Sequence, residues 1–238
     1  MEYKVGFFEK IYLAVKQKLV TTQWLRLLKI VICSTTSSLL MFVVAGSLIE
    51  EASMFTISLS PGASKGSAAI SLCETADFAN PTTVLDAGGL EQMTNISQLW
   101  LPGDLDSHDG SHNGDSYLAY TFYLKNVGEA SGTLQESIVV DSSVLGADAA
   151  IRVQVYRNGI PTTYAKMGAD GMAERGTTPF VSDDVVFANS VESFDAGQVI
   201  KYTLVIWLEG DDPECLDNIM GGTVKMSMHF SVEEEPQS

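Results

Sequence analysis

Tyr117-Leu118-Ala119-Tyr120-Thr121-Phe122-Tyr123-Leu124-Lys125 is the stretch on which the fold turns. Leu118, Tyr120, Phe122 and Leu124 take one set of alternate positions, while Tyr117, Ala119, Thr121, Tyr123 and Lys125 take the other. Successive side chains of a strand point to opposite faces, so a period of two residues describes a strand with one apolar face and not a helix. The same period recurs downstream. In Val199 to Leu208, Ile200, Tyr202, Leu204, Ile206 and Leu208 share a face. In Thr223 to Val232, Val224, Met226, Met228, Phe230 and Val232 alternate with Thr223, Lys225, Ser227, His229 and Ser231. Ala150 to Arg157 places Ile151, Val153 and Val155 inward and Arg152, Gln154 and Tyr156 outward. Asn158-Gly159 then supplies the two positive φ angles of a tight hairpin, with Thr162 to Lys166 returning as the partner.

Shorter alternating segments lie at Phe55 to Leu59, Ala68 to Glu74 and Val185 to Ala188, and a polar connection broken by Asn80-Pro81 and Gly88-Gly89 follows the second. Almost no helical periodicity follows Ile49. Short alternating strands separated by Gly, Asp, Asn and Pro predict an all-β fold, an antiparallel β-sandwich over residues 68–232. Residues 50–67 read as a stalk or a first edge strand, and the acidic tail 233–238, with nothing to bury, as disordered.

The N-terminus has a different character. Residues 1–28 form a basic amphipathic segment whose apolar positions include Phe7, Phe8, Ile11, Leu19, Trp24 and Leu28, suited to the inner membrane surface. Residues 29–49 follow, and from Ile30 to Ile49 no charge occurs. As a helix, that length spans about 30 Å, one hydrocarbon core. Two fates fit the segment: a retained single-pass anchor, or a signal-peptide core cut near Ser47, where Ala45-Gly46-Ser47 offers small residues. Met1 to Ile49 carries six basic and two acidic residues, +4, so the remainder carries −20 of the total −16. Lysine and arginine gather on the cytoplasmic side, which predicts a cytoplasmic N-terminus and an extracytoplasmic 50–238. A domain this acidic repels nucleic acid and suits cations, basic partners or solubility.

Three cysteines make no disulfide framework. With Cys33 in the apolar segment, Cys73 and Cys215 are the remaining pair. A bridge between them needs the fold to join positions 142 residues apart; the other reading is two inert buried thiols.

Two acidic loops are candidate metal sites. Asp104 to Asp115 (DLDSHDGSHNGD) holds Asp104, Asp106, His108, Asp109, His112 and Asp115, oxygen and imidazole donors suited to calcium or a transition metal. Its spacing matches neither a calcium loop nor a zinc-protease motif: His108 stands where a loop ligand belongs, Gly110 comes one place late, and no glutamate follows the first histidine. The plainer reading is a mobile polar connection. Glu209 to Asp217 (EGDDPECLD) offers Asp211, Asp212, Glu214 and Asp217 at the end of the strongest strand, against the plainer reading of a solvated loop. Acidic neighbours there raise the Cys215 thiol pKa, the reverse of what a nucleophile needs. Asn95-Ile96-Ser97 matches a glycosylation acceptor, and Trp100 and Trp207 read as packing residues. No Gly-x-Ser-x-Gly elbow or glycine-rich phosphate loop occurs, so no catalytic residues are assigned and the expectation is a protein that is not an enzyme.

Leu101-Pro102-Gly103-Asp104 before an alternating strand that ends Phe122-Tyr123-Leu124-Lys125-Asn126-Val127-Gly128, all after an N-terminal export segment, resembles the camelysin/TasA group of exported Gram-positive proteins. That resemblance implies a jelly-roll sandwich at the cell surface and, in some members, assembly into matrix fibres; some members are described as metal-dependent proteases. The long basic N-terminus and the lack of a Phe-x-x-Gly-x-Leu opening depart from the group. Ile206 to Cys215 (IWLEGDDPEC) is similar to a segment of uncharacterised exported proteins. The expected function is therefore a non-enzymatic surface or matrix protein that contacts other envelope proteins or itself, with residues 50–67 as a donor for strand addition. The alternatives are a cation-dependent binding module or hydrolase using one of the acidic loops, and an accessory subunit of a membrane machine.

Overall fold

The computed structural model describes residues 54–90 and 92–234. The expectations for residues 1–49, the amphipathic segment and the anchor or signal helix, lie outside the described residues. No helix among the described residues is long and apolar enough to cross a membrane.

Among the described residues, twelve strands build two sheets. The first has the order β10-β6-β12-β1-β3, using β1 (Phe55–Leu59), β3 (Val84–Gly88), β6 (Gly132–Ser143), β10 (Val185–Phe194) and β12 (Val224–Glu234). The second has the order β2-β5-β11-β7-β8-β9, from β2 (Ile70–Cys73), β5 (Tyr117–Asn126), β7 (Ile151–Arg157), β8 (Ile160–Ala165), β9 (Thr178–Pro179) and β11 (Val199–Leu208), with β4 (Gly110–Ser111) also on β5. The all-β sandwich stands, but it is not purely antiparallel: β1 runs parallel to β12, and β8 to β9.

The alternation read from the sequence decides which side faces in. Leu118, Tyr120, Phe122 and Leu124 of β5 and Ile200, Tyr202, Leu204 and Ile206 of β11 meet Leu134, Ile138, Met226, Met228 and Phe230 of the opposite sheet in one core. Phe122 stacks on Tyr202 at 5.3 Å between ring centres and meets Phe230 edge-on at 5.9 Å, so the two sheets join through aromatic rings. The β7–β8 hairpin turns through Asn158 and Gly159 at φ of 50° and 83°, the left-handed pair its residues anticipate.

Four local readings are corrected. Within 50–67, of which 50–53 lie outside the described residues, Phe55–Leu59 is neither a stalk nor an edge: β1 lies between β12 and β3, with Phe55 and Ile57 fully buried. Burial of such side chains is worth about 1.5–3 kcal/mol each, which holds this segment in its own sheet. β12 continues through Glu234, paired with Gly132, so Glu233 and Glu234 belong to a strand; residues 235–238 lie outside the described set. The polar connection after β2 contains β3, and β10 runs to Phe194, well past Ala188.

Ion pairs fasten the sheet ends. Asp148, in the short 3-10 turn Ala147–Ala149, accepts from Ser143 at the end of β6 and pairs with Lys166 just beyond β8. Burial pushes its carboxyl up, but the Lys166 and Ser143 hydrogen bonds and the Lys166 charge overcome this and hold it below the usual carboxylate value. A depressed folded pKa contributes stability above the unfolded value of about 3.9 and loses it as pH falls through the folded pKa. Asp148→Asn is therefore expected to cost about 1–2 kcal/mol in urea unfolding at neutral pH. The gap to the wild type should close below about pH 4, and an unchanged gap at low pH would contradict the pairing.

Candidate functional site

The stretch from Asn95 to Asn113 is a strap over the outer face of the second sheet. Leu105 is buried against Ala119, Val205 and Trp207, with Ile96, Leu101, Tyr117 and Tyr156 packed around them, a second small core on the face that would otherwise be wet. This is why Trp207, on the outward side of β11, is fully buried. The acids of this stretch are spent on holding it down. Asp106 Oδ1 accepts from Thr203 Oγ1 at 2.6 Å and lies 3.2 Å from Lys201 Nζ, and Asp109 Oδ1 accepts from the Tyr123 hydroxyl at 2.7 Å. His112 sits between the carbonyls of Gly110 and Leu105, and exposed His108 lies 3.4 Å from Asp104. Asp115 is exposed. No three acidic or imidazole groups of Asp104 to Asp115 converge as a ligand set, and the segment is a packed strap in place of a mobile connection.

At one end of the strap, Glu209 organises the loop that follows β11. Its carboxylate, buried, accepts from Trp207 Nε1 at 2.9 Å and the Gln98 amide at 3.1 Å through Oε2, and from the Asp211 amide at 3.3 Å through Oε1. Asp211 Oδ2 in turn accepts from Ser97 Oγ at 2.7 Å. Leu99 and Trp100, in the 3-10 turn Gln98–Trp100 that these anchors start, are 90% and 75% exposed. Trp100 is thus not a packing residue, whereas Trp207 is.

Behind the same loop lies the acidic cluster. Glu174, Asp212 and Glu214 each bring one carboxylate oxygen within 4.8 Å of the others. They surround Arg152 of β7, expected to face water but buried because the loops cover that face. Arg152 Nη2 donates to Glu174 Oε2 at 3.4 Å and lies 2.6 Å from Asp212 Oδ2. Asp212 Oδ1 accepts the Glu214 amide at 2.8 Å, and Glu214 Oε1 accepts the Ala169 amide at 2.9 Å. Burial and the neighbouring Glu214 carboxylate push the Asp212 carboxyl above the usual range, against the opposing pull of the Glu214 amide and the Arg152 guanidinium. Burial and the Asp212 charge do the same to Glu174. Of the four acids expected in Glu209 to Asp217, the fold brings Asp212 and Glu214 together, turns Asp211 to the strap, and leaves Asp217 exposed outside the cluster. Glu174, from the loop between β8 and β9, is the ligand-type residue that local spacing did not disclose.

Cys73 and Cys215 do not pair. Both are free thiols: Cys73 is buried at the end of β2 and Cys215 half-buried after the acidic turn. Burial pushes the Cys215 thiol up, and Asp212 and Glu209 add to the shift.

A polar groove of about 420 Å³ opens at β6, β10 and β12, lined in part by Glu136, Asn189 and His229. His229 Nδ1 contacts Ser58 Oγ at 3.0 Å and its Nε2 contacts Ser227 Oγ at 2.9 Å, while Ser227 donates to Asp141 at 2.9 Å. Ser58 sits mid-strand with ladder neighbours on both sides, and acyl transfer needs donors aimed at a developing oxyanion beside the nucleophile.

No family model matches the chain, and no curated protein matches it. Solved structures that overlap it include two of a β-glucosidase from Kluyveromyces marxianus. The one in complex with glucose is 11% identical with a TM-score of 0.24, over 71% of this chain and 15% of that one. The selenomethionine-labelled form is 11% identical with a TM-score of 0.25, over 67% of this chain and 17% of that one. The chain thus spans less than a fifth of either enzyme.

Proposed function

We propose that this chain is a non-enzymatic, exported β-sandwich of the jelly-roll type that works at the cell surface or in the extracellular matrix through protein contacts. On this reading residues 29–49 carry 50–238 outward and remain as a single-pass anchor with a cytoplasmic N-terminus. The observation that supports the contact reading is the Leu99–Trp100 pair. Two large apolar side chains stand almost wholly in solvent, yet their turn is fixed at its start, where Asp211 holds Ser97 and Glu209 holds the Gln98 amide, and Leu101 just after it packs into the second core. Rigid, exposed aromatic anchors lose little entropy on binding and dominate interface energetics. Phe55–Leu59 is not the donor: β1 is already paired on both sides.

The experiment places a photo-cross-linking phenylalanine analogue at position 100 of the full chain in the producing cell. The expected result is a discrete adduct with another envelope protein or a second copy. An analogue at exposed Asp115, just beyond the strap, serves as the comparison, and equal adducts from both positions would count against Trp100 as the contact point. A native N-terminus at Met1 fits the anchor; one near Leu48 replaces it with a secreted form and leaves the contact surface intact.

A further inference from the structure

We propose that the groove on the outer face of the first sheet is a binding site for a neutral saccharide. Strand register builds it. Gln135 and Ser137 alternate with core-facing Leu134 and Ile138, so their side chains point outward. Ser190, Gln135 and Ser231 stand side by side across β10, β6 and β12, and Ala188, Ser137 and His229 form the next row on that face. Ser58 of β1 extends the second row, and Ser60 just past β1 lines the groove beside them. Four strands at about 4.8 Å spacing make these rows about 14 Å long. Most of the side chains are short, which leaves an open volume of about 420 Å³, within the range of about 300–1,000 Å³ common to small-molecule sites.

The chemistry of the lining selects the ligand. The side chains of Ser60, Gln135, Ser137, Ser190 and Ser231 make no hydrogen bond to another described residue, so four hydroxyls and one amide meet in one concavity unclaimed by the fold. Each of these groups is donor and acceptor at once, the match for a ligand hydroxyl, which is both as well. The remaining polar groups are held in place. Buried Glu136 accepts from Asn189 Nδ2 at 2.8 Å. The Ser227 hydroxyl gives its proton to Asp141 and so accepts from His229 Nε2, while His229 Nδ1 meets Ser58 at 3.0 Å; both ring nitrogens are taken and the imidazole is a fixed wall. No lysine, arginine or aspartate lines the groove, and its one carboxylate, Glu136, is committed to Tyr202, Asn189 and Arg157. In a chain of net charge −16, a concavity with no free charge favours a neutral ligand: nothing there pairs with a phosphate or holds a metal. Because β6 and β12 are each paired on both sides, an extended peptide finds no free strand edge on them. A neutral polyol is the ligand class that remains. This site goes beyond the contact reading and does not depend on it.

The test is isothermal titration of the full chain, held in a detergent without a sugar headgroup, with neutral tetrasaccharides of glucose, mannose and N-acetylglucosamine. The acidic tetramer of galacturonate serves for comparison. At least one neutral saccharide is expected to bind, with one site per chain. Gln135→Ala removes an outward amide and should weaken that binding about three- to tenfold. Ser137→Leu fills the groove from its floor and should abolish it, and both variants should keep the wild-type melting midpoint. Leu99→Ser/Trp100→Ser should bind saccharide as the wild type does, so that failure of the contact surface and failure of this groove read separately. Binding of none of the three neutral saccharides overturns the proposal, as does an affinity unchanged in either groove variant or lost in the Leu99→Ser/Trp100→Ser variant. Tighter binding of the galacturonate tetramer overturns the assignment of a neutral ligand.

Discussion

Phe122→Ala is expected to remove about 3–5 kcal/mol of stability, read as a lowered urea midpoint with an unchanged slope. Phe122 is fully buried and lies where the sheets meet, stacked on Tyr202, edge-on to Phe230 and 6.4 Å from Tyr120. Truncation removes the ring's transfer free energy and leaves a cavity whose aromatic walls cannot collapse, since each is anchored in a different strand. Phe122→Leu keeps most of the volume but loses the ring geometry, and should cost about 1–2 kcal/mol. A loss under about 1 kcal/mol for the alanine variant would mean that the alternate face of β5 points away from the core.

The second large effect lies at Glu136, a charged side chain on the core-facing side of β6. It is buried, accepts from the Tyr202 hydroxyl through Oε2 and from Asn189 Nδ2 at 2.8 Å through Oε1, and has Arg157 Nη1 at 3.7 Å. Burial and the Glu136 charge hold the Tyr202 hydroxyl well above its ordinary pKa, so it stays a donor throughout the working range. Glu136→Ala strands that buried hydroxyl and leaves the Arg157 guanidinium without its carboxylate, and is expected to cost about 3–5 kcal/mol. Glu136→Leu combined with Tyr202→Phe removes acceptor and donor together and should recover a large part of the loss, because an apolar pair leaves nothing unsatisfied. Equal loss in the single and double variants would show that the hydrogen bond carries no coupling.

Glu136 also explains what the sequence concealed. β6 carries Leu134, Ile138 and Val140 on its inner face, but the acid standing between Leu134 and Ile138 breaks the apolar period, and no strand was anticipated from Gly132 to Ser143. Its neighbour β12, with an unbroken row of Val, Met and Phe, was legible, as were β5, β11 and the Asn158-Gly159 hairpin. Alternation tells which face of a strand is buried; it does not tell which strand lies alongside. The parallel pairing of β1 with β12 is therefore invisible in residues 55–59, where the same pattern fits an edge.

The site shows the same division. Density of acids along the chain pointed to Asp104 to Asp115, yet those carboxylates are spread over Thr203, Lys201, Tyr123 and His108 by a strap whose purpose is to bury Leu105. In Glu209 to Asp217 the density was informative for Asp212 and Glu214 alone, because the turn sends Asp211 to Ser97. Glu174 stands alone among Gly, Met, Ala and Arg, and only the path of the loop after β8 brings it to Asp212. The phase of Arg152 and Gln154 in β7 predicts a wet face, and they are buried because the surrounding loops cover it, a tertiary effect that no local period encodes.

The contact reading rests on the exposure of Leu99 and Trp100, and the most direct measurement is the size of the native complex. The full chain and its Leu99→Ser/Trp100→Ser variant would be extracted gently from the producing cell and compared by sedimentation velocity. Exposed side chains contribute little to folding, so the variant should unfold within about 0.5 kcal/mol of the wild type. The wild type is expected to sediment as a species larger than one chain and the variant as a single chain. A variant that remains in a complex of wild-type size would contradict it.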